Sequence, residues 1–163
     1  MAPSQIRFTI PGVPQGKGRA RSSARIIPGK GGKPMAITRH YTPEKTVAYE
    51  SLIRCAGAQA MDGHPPFTGP VRMEIDIVCP VPPSWSKVRQ RRALAGEILP
   101  TVKPDGDNVE KAVKDGINGV VYRDDVQVVR DSKGKVYGEV PAVHVVITEL
   151  QGVESAQGAK RHA

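Results

Sequence analysis

Val71-Arg72-Met73-Glu74-Ile75-Asp76-Ile77-Val78-Cys79 places an apolar residue at every second position from Val71 to Cys79. Successive side chains of a strand point to opposite faces, so this stretch predicts a β-strand with one face in the core. Pro80-Val81-Pro82-Pro83 ends it. Upstream, Thr42-Pro43 predicts a helix start, Thr as cap and Pro at the first helical position. Tyr49, Leu52, Ile53, Ala56 and Ala60 then recur at helical spacing until Asp62-Gly63. Downstream, Ser84 is placed to cap a short basic helix running to about Ala95, with Trp85 as a packing anchor. Asp107 opens a third helix, with Val109, Ala112, Val113, Ile117 and Val120 on one face. Further strands are expected at Gln5–Ile10, at Met35–Thr38, from Val126 to Val129 and from Pro141 to Leu150. Ser132-Lys133-Gly134-Lys135 reads as a turn. The fold class is therefore α/β (α+β), a mixed sheet of about four to five strands with helices packed on it. The chain reads as one small domain over 1–150, followed by a flexible tail over 151–163.

Composition narrows the function. Of 163 residues, 39% are hydrophobic, which suffices for a core and excludes a wholly disordered chain. No apolar run approaches the roughly 18–20 residues of a membrane helix, and Met1–Arg7 lacks the pattern of a signal peptide. A cytoplasmic protein is expected. Cys55 and Cys79 stand apart and read as reduced, buried small hydrophobes. The four histidines are scattered and suggest no zinc site.

Lys and Arg number 24 against 16 Asp and Glu, a formal charge of +8. The excess is local. Arg7, Lys17, Arg19, Arg21, Arg25, Lys30, Lys33 and Arg39 fall before Pro43, where there is no acid, and the rest of the chain balances. Residues 12–34 are rich in Gly and Pro and read as mobile basic loops. Such loops suit a polyanion, because each phosphate they neutralise releases condensed counterions. A nucleotide-binding loop is rejected: Gly12 to Lys17 is one residue short of the required spacing, and Gly18 stands where Ser or Thr should hold magnesium.

The acids are also grouped. In Lys103-Pro104-Asp105-Gly106-Asp107-Asn108-Val109-Glu110-Lys111, Asp105 and Asp107 are two apart in extended chain and can share a side. Lys111 follows Asp107 by one helical turn. Asp124-Asp125 precedes the next strand and is placed to meet the first group across the sheet edge. Carboxylates so arranged suit a divalent cation, which activates water and neutralises the charge of a phosphodiester under attack. A neighbouring lysine offsets developing negative charge. An EF-hand is excluded, since the sixth position from Asp105 is not Gly. The acids have a plainer reading too: Asp107 with Glu110 fits a capping box, and Asp124-Asp125 fits a turn.

Taken together, Asp105-Gly106-Asp107-Asn108-Val109-Glu110-Lys111-Ala112, Asp115-Gly116-Ile117-Asn118-Gly119 and Tyr122-Arg123-Asp124-Asp125-Val126-Gln127-Val128 resemble the RusA family of Holliday junction resolvases. Pro11-Gly12-Val13-Pro14, Tyr41-Thr42-Pro43 and Pro83-Ser84-Trp85-Ser86 are similar to its phage and prophage members. The resemblance implies a homodimer that nicks four-way DNA junctions symmetrically with Mg2+, Mn2+ being a substitute, in recombination and repair. It implies no nucleotide cofactor and no membrane, and a place in the cytoplasm of a bacterial or phage-infected cell. Its essential aspartates fall on Asp105, Asp107 and Asp125, with Asp124 beside them as a further candidate ligand, and its lysine falls on Lys111. Gly106 departs from the bulkier apolar residue of the family pattern. Lys17, Arg19, Arg21, Arg25, Lys30, Lys33, Lys87, Arg89, Arg91 and Arg92 are the expected DNA contacts. A two-fold dimer would match the approximate symmetry of a four-way junction. The rival reading is a non-catalytic nucleic-acid-binding protein whose acidic cluster is a helix cap. A basic ribosomal or capsid-associated protein fits the charge and leaves the acids unexplained.

Overall fold

The computed structural model describes residues 3–152; the tail read over 151–163 lies, from 153 onward, outside the described residues. In chain order the elements are β1 (Gln5–Pro11), β2 (Arg21–Pro28), β3 (Pro34–Tyr41), α1 (Glu44–Met61), β4 (Val71–Pro80), α2 (Lys87–Leu94), α3 (Gly106–Ile117), β5 (Val128–Gly138) and β6 (Ala142–Glu149). A 3-10 turn, Asp125–Gln127, precedes β5. The main sheet has four strands in the order β1-β6-β4-β5, and β2 and β3 form a separate two-stranded ribbon. β4 pairs in parallel with β5, and the other pairings are antiparallel. This is the expected α+β architecture.

β4 is built as its alternation predicts: Val71, Met73, Ile75, Ile77 and Cys79 are all buried. Ile6, Phe8 and Ile10 of β1 and Val143, Val145 and Ile147 of β6 extend the same buried face. Tyr49, Ile53 and Met61 of α1 and Val109, Ala112, Val113 and Ile117 of α3 cover it. The helices meet where side chains are missing. A Cβ on Gly116 would sit 2.6 Å from Ile53 Cγ2 and 2.8 Å from Ile53 Cβ, and one on Gly57 would sit 3.0 Å from Ile117 Cγ2.

Several local expectations are corrected. Pro43, not Thr42, caps α1, and its carbonyl accepts from Thr46 N and Val47 N. Leu52 is exposed. Ser86, not Ser84, caps α2, its hydroxyl accepting from Arg89 N at 3.3 Å, because Pro82 and Pro83 hold the chain extended for longer. Trp85 packs on the core as expected, edge-on to Tyr137 at 5.4 Å. Asp105, not Asp107, caps α3. Ser132–Lys135 is no turn: β5 runs straight through it, paired residue for residue with β4 from Met73–Asp131 to Pro80–Gly138. A full-length partner strand overrides the local turn composition. The basic stretch read as loop over 12–34 contains β2 and, at its end, the start of β3. It carries no alternating pattern because neither face of this ribbon is buried. Cys55 is exposed, whereas Cys79 is buried and its thiol is pushed up by that burial.

Candidate active site

Asp105 sits in extended backbone at the N-terminus of α3, and its Oδ1 accepts a hydrogen bond from Asp107 N at 3.1 Å. That is the geometry of an N-cap, and the positive end of the helix dipole stabilises both carboxylates. Lys17 N donates to Asn108 O at 2.9 Å, which holds the segment after β1 against this first turn. Val13–Lys17, Lys103, Pro104, Asp105 and Asn108 line an open depression there.

Asp107 is largely exposed, and its Oδ1 meets Lys133 Nζ at 2.8 Å. The same ammonium lies 2.7 Å from Glu110 Oε2. Glu110 is nearly buried; its other oxygen takes Lys114 Nζ, which is also 3.0 Å from Asp131 Oδ2. An alternating string of five charges therefore runs from Asp107 through Lys133, Glu110 and Lys114 to Asp131. Positions 107, 110 and 114 share one stripe of α3, and Asp131 and Lys133 share one face of β5. The Asp107 and then the Glu110 carboxylate hold the Lys133 ammonium well above its ordinary range. Burial works to lower the Lys114 pKa, and hydrogen bonds to Glu110 and Asp131 reverse that to a net rise. The Glu110 carboxyl and the Lys114 ammonium hold Asp131 below the usual carboxylate value.

The second acidic pair lies elsewhere. Asp124 caps the 3-10 turn, its Oδ1 accepting from Val126 N at 3.2 Å, and Gln127 completes a capping box. Gln127 Oε1 accepts from Arg123 N and Asp124 N, while its Nε2 donates to Phe67 O and Gly69 O. This fastens Asp124 and Asp125 beside the start of β4. Gly106, by contrast, lies against Ile77 and Lys133. Ile77 lies six positions along β4 from Val71, so the two acidic groups stand about 20 Å apart along the sheet. α3, twelve residues and about 18 Å long, runs between them. Asp105 and Asp107 are brought together; Asp125 does not join them in one chain. Among the described residues no three His, Cys, Asp or Glu side chains group closely enough to share a metal ion. Buried Tyr122, whose hydroxyl donates to Lys114 O at 3.1 Å, stands between the groups. Burial pushes its phenol far up, and the charges of Asp125, Asp115, Asp124 and Glu110 add to this.

Lys111 is exposed, and the ion pairs of α3 pass it by. Lys17 is engaged rather than free: it pairs with Asp115 and lies 3.5 Å from Glu50, and the Asp115 contact holds its ammonium above the ordinary value. Arg19, Arg21, Arg25, Lys30, Lys33, Lys87 and Arg91 are exposed. Arg89 stacks over Trp85 at 4.0 Å, and Arg92 pairs with Glu97 at 2.8 Å. Spacing in the sequence does not mark Glu110, Lys114, Asp131, Lys133, Tyr122 and Gln127 as site residues. The i,i+4 pair Glu110–Lys114 was visible in principle. Lys133 was hidden by the apparent turn around it.

As a donor set, Asp105 and Asp107 offer hard oxygens, each with one oxygen committed inside the protein. Two carboxylates beside a helix N-terminus fit a divalent cation whose remaining positions go to water and phosphate. No helix among the described residues is long and apolar enough to cross a membrane. The chain is 37% identical over 150 residues to the Uncharacterized protein YqaN of Bacillus subtilis (strain 168), covering 89% of this chain and 96% of that protein. A family model described as Endodeoxyribonuclease RusA matches residues 11–148, from the last residue of β1 almost to the end of β6 and through both acidic groups. With the two aspartates of the α3 cap and the capped Asp124-Asp125 turn inside that match, the chain belongs to the RusA family of endodeoxyribonucleases, hydrolytic nucleases of Holliday junctions.

Proposed function

We propose that the protein resolves four-way DNA junctions by paired symmetric nicks, as a Mg2+-dependent homodimer acting in recombination and repair in the cytoplasm. The observation that carries this reading is the pair Asp105 and Asp107 on the cap of α3, within the match to a nuclease family. In this reading Asp105 and Asp107 hold the cation. The bound ion supplies Lewis acidity to the phosphodiester and lowers the pKa of water. The N-terminus of α3 orients the scissile phosphate, since its free N–H groups face an anion. Lys133 pairs with Asp107 and fixes it in place, and exposed Lys111 is free to turn toward the phosphate charge. Asp125 acts from the other end of α3. Basic residues outside the site grip the arms, and those that meet phosphates position the junction without specifying sequence.

A nicking assay on a synthetic four-way junction with Mg2+ tests this. Wild type is expected to give paired nicks on opposed strands, and Asp107→Asn to bind the junction while cutting at least about a hundredfold more slowly, as loss of a catalytic electrostatic group does. One observation favours the rival binding-module reading: Asp105 and Asp124 both serve as caps. Tight binding by both proteins with no nicks from either would establish that rival.

A further inference from the structure

The β2–β3 ribbon stands apart from the sheet that builds the site. Outside their own ladder its strands make little contact with any other element, and every side chain but Ile27 is exposed. A two-stranded hairpin alone in water is marginal, so this one is shaped for a partner. Its register tells which partner. Arg21 opposes Tyr41, Ser23 opposes Arg39, and Arg25 opposes Ile37. Directly opposed residues share a face, and faces alternate along each strand. All three arginines therefore project from one face. The other face pairs Ser22 with His40, Ala24 with Thr38 and Ile26 with Ala36, and carries no Lys or Arg. Lys30 and Lys33 flank the tip, whose turn is closed by Gly29 N to Lys33 O at 3.0 Å, and no Asp or Glu occurs from 21 to 41.

We infer that this ribbon lies in the major groove of a double-stranded DNA arm, arginine face to the bases and tip lysines on the phosphates. This rests on the reading of branched DNA as the substrate and adds where and how an arm is held. The major groove of B-DNA admits a two-stranded ribbon, and an arginine fork matches guanine O6 and N7. The deep, narrow major groove of A-form RNA does not admit side chains in this way. A second copy is the poorer occupant, because two ribbons with five cations each and no anion repel. The root of the ribbon is fixed to the site: Gly18 N donates to Thr46 Oγ1 at 3.2 Å, and Lys17 N holds the carbonyl of Asn108, next to Asp107. An arm gripped by the ribbon is thus gripped in a set relation to the α3 cap.

The test uses the full chain on a linear duplex without Mg2+, reading affinity against salt and protection of guanine N7 from dimethyl sulfate. Wild type is expected to protect N7 positions. A triple variant, Arg21→Gln, Arg25→Gln and Arg39→Gln, loses that protection and about tenfold or more in affinity. The triple Arg→Lys variant keeps charge and most affinity yet loses protection, because lysine lacks the planar fork. Lys30→Gln with Lys33→Gln keeps protection and lowers the slope of log affinity against log salt by about 2. Thermal melting of each variant should match wild type, since the ribbon lies outside the core. An equal loss in all three variants, or protection left intact in both arginine-face variants, overturns the inference. A change in sedimentation with duplex binding unaltered assigns the face to a second copy. A wild type that protects the duplex but nicks no junction sinks the nuclease reading alone, and one that nicks junctions without protecting N7 sinks the ribbon inference alone.

Discussion

Glu110 sits at the middle of the charge string with one ammonium on each oxygen, and it is the least exposed acid described in the chain. Replacing it by Ala leaves Lys114 and Lys133 facing each other over a partly buried gap. The expected cost is about 2–3 kcal/mol in urea unfolding, below the figure for a wholly buried pair because both lysines are partly exposed. Asp131 has a depressed pKa, so its contribution to stability is complete above its ordinary value of 3.8 and is lost as pH falls through the depressed one. Asp131→Asn should therefore melt below wild type at pH 7, and the two curves should converge in strong acid. Lys114 behaves in the opposite sense: its pKa is raised, so its contribution holds below 10.5 and fades as pH climbs through the raised value. At this scale the aspartates were legible and their partners were not. Spacing marks a carboxylate beside a helix start, but the lysine that meets it comes from β5, twenty-six positions further on, and only the fold brings it there.

Elements were legible where burial imposes a period. β4 and the apolar face of α3 follow their patterns because each packs one face on the core. β2 escaped because an exposed ribbon has no inner face to mark, β3 was marked only over Met35–Thr38, and β5 only at its start because six of its residues in a row, Val129 to Gly134, are exposed. Helix caps moved by two residues at α2 and α3, the usual uncertainty where Ser or Asp recurs at alternate positions. Two substitutions test the assignments. Asp105→Ala removes the α3 cap and should cost about 1 kcal/mol, a loss that Asp105→Asn largely avoids while still removing a charge from the proposed metal site. Gly116→Ala improves intrinsic helix propensity by about 1 kcal/mol but forces a methyl group into Ile53 and toward the Glu50 carbonyl. Overpacking should win, and a melting curve should show net destabilisation by about 1–2 kcal/mol.

At the scale of the whole molecule, α3 keeps Asp125 away from Asp105 and Asp107. If all three aspartates serve one reaction centre, the third comes from a second copy of the chain, in the homodimer proposed above. Mixing Asp107→Asn chains with Asp125→Asn chains should then restore nicking, since a mixed dimer assembles one intact centre from two damaged chains. Mixtures as inactive as their parents would place the centre within each chain and give Asp125 a separate task. The overall class and the run of the family resemblance are legible in the sequence; this separation is not, because chain order says nothing of how far apart the ends of a helix hold their neighbours.

The strand order has its own consequence during synthesis. Among the described strands β6, the last to leave the ribosome, lies between β1, the first, and β4. Until residue 149 is available, β1 has no neighbour and β4 lacks its antiparallel one, so the nascent chain carries two apolar strands with open edges. The α2–α3 segment can close with β4 and β5 ahead of time, whereas β1 must wait for β6. A message cut short between the codons for Gly138 and Ala142 would yield a chain with every acidic residue of the candidate site and no closed sheet to hold them, a natural target for aggregation or proteolysis.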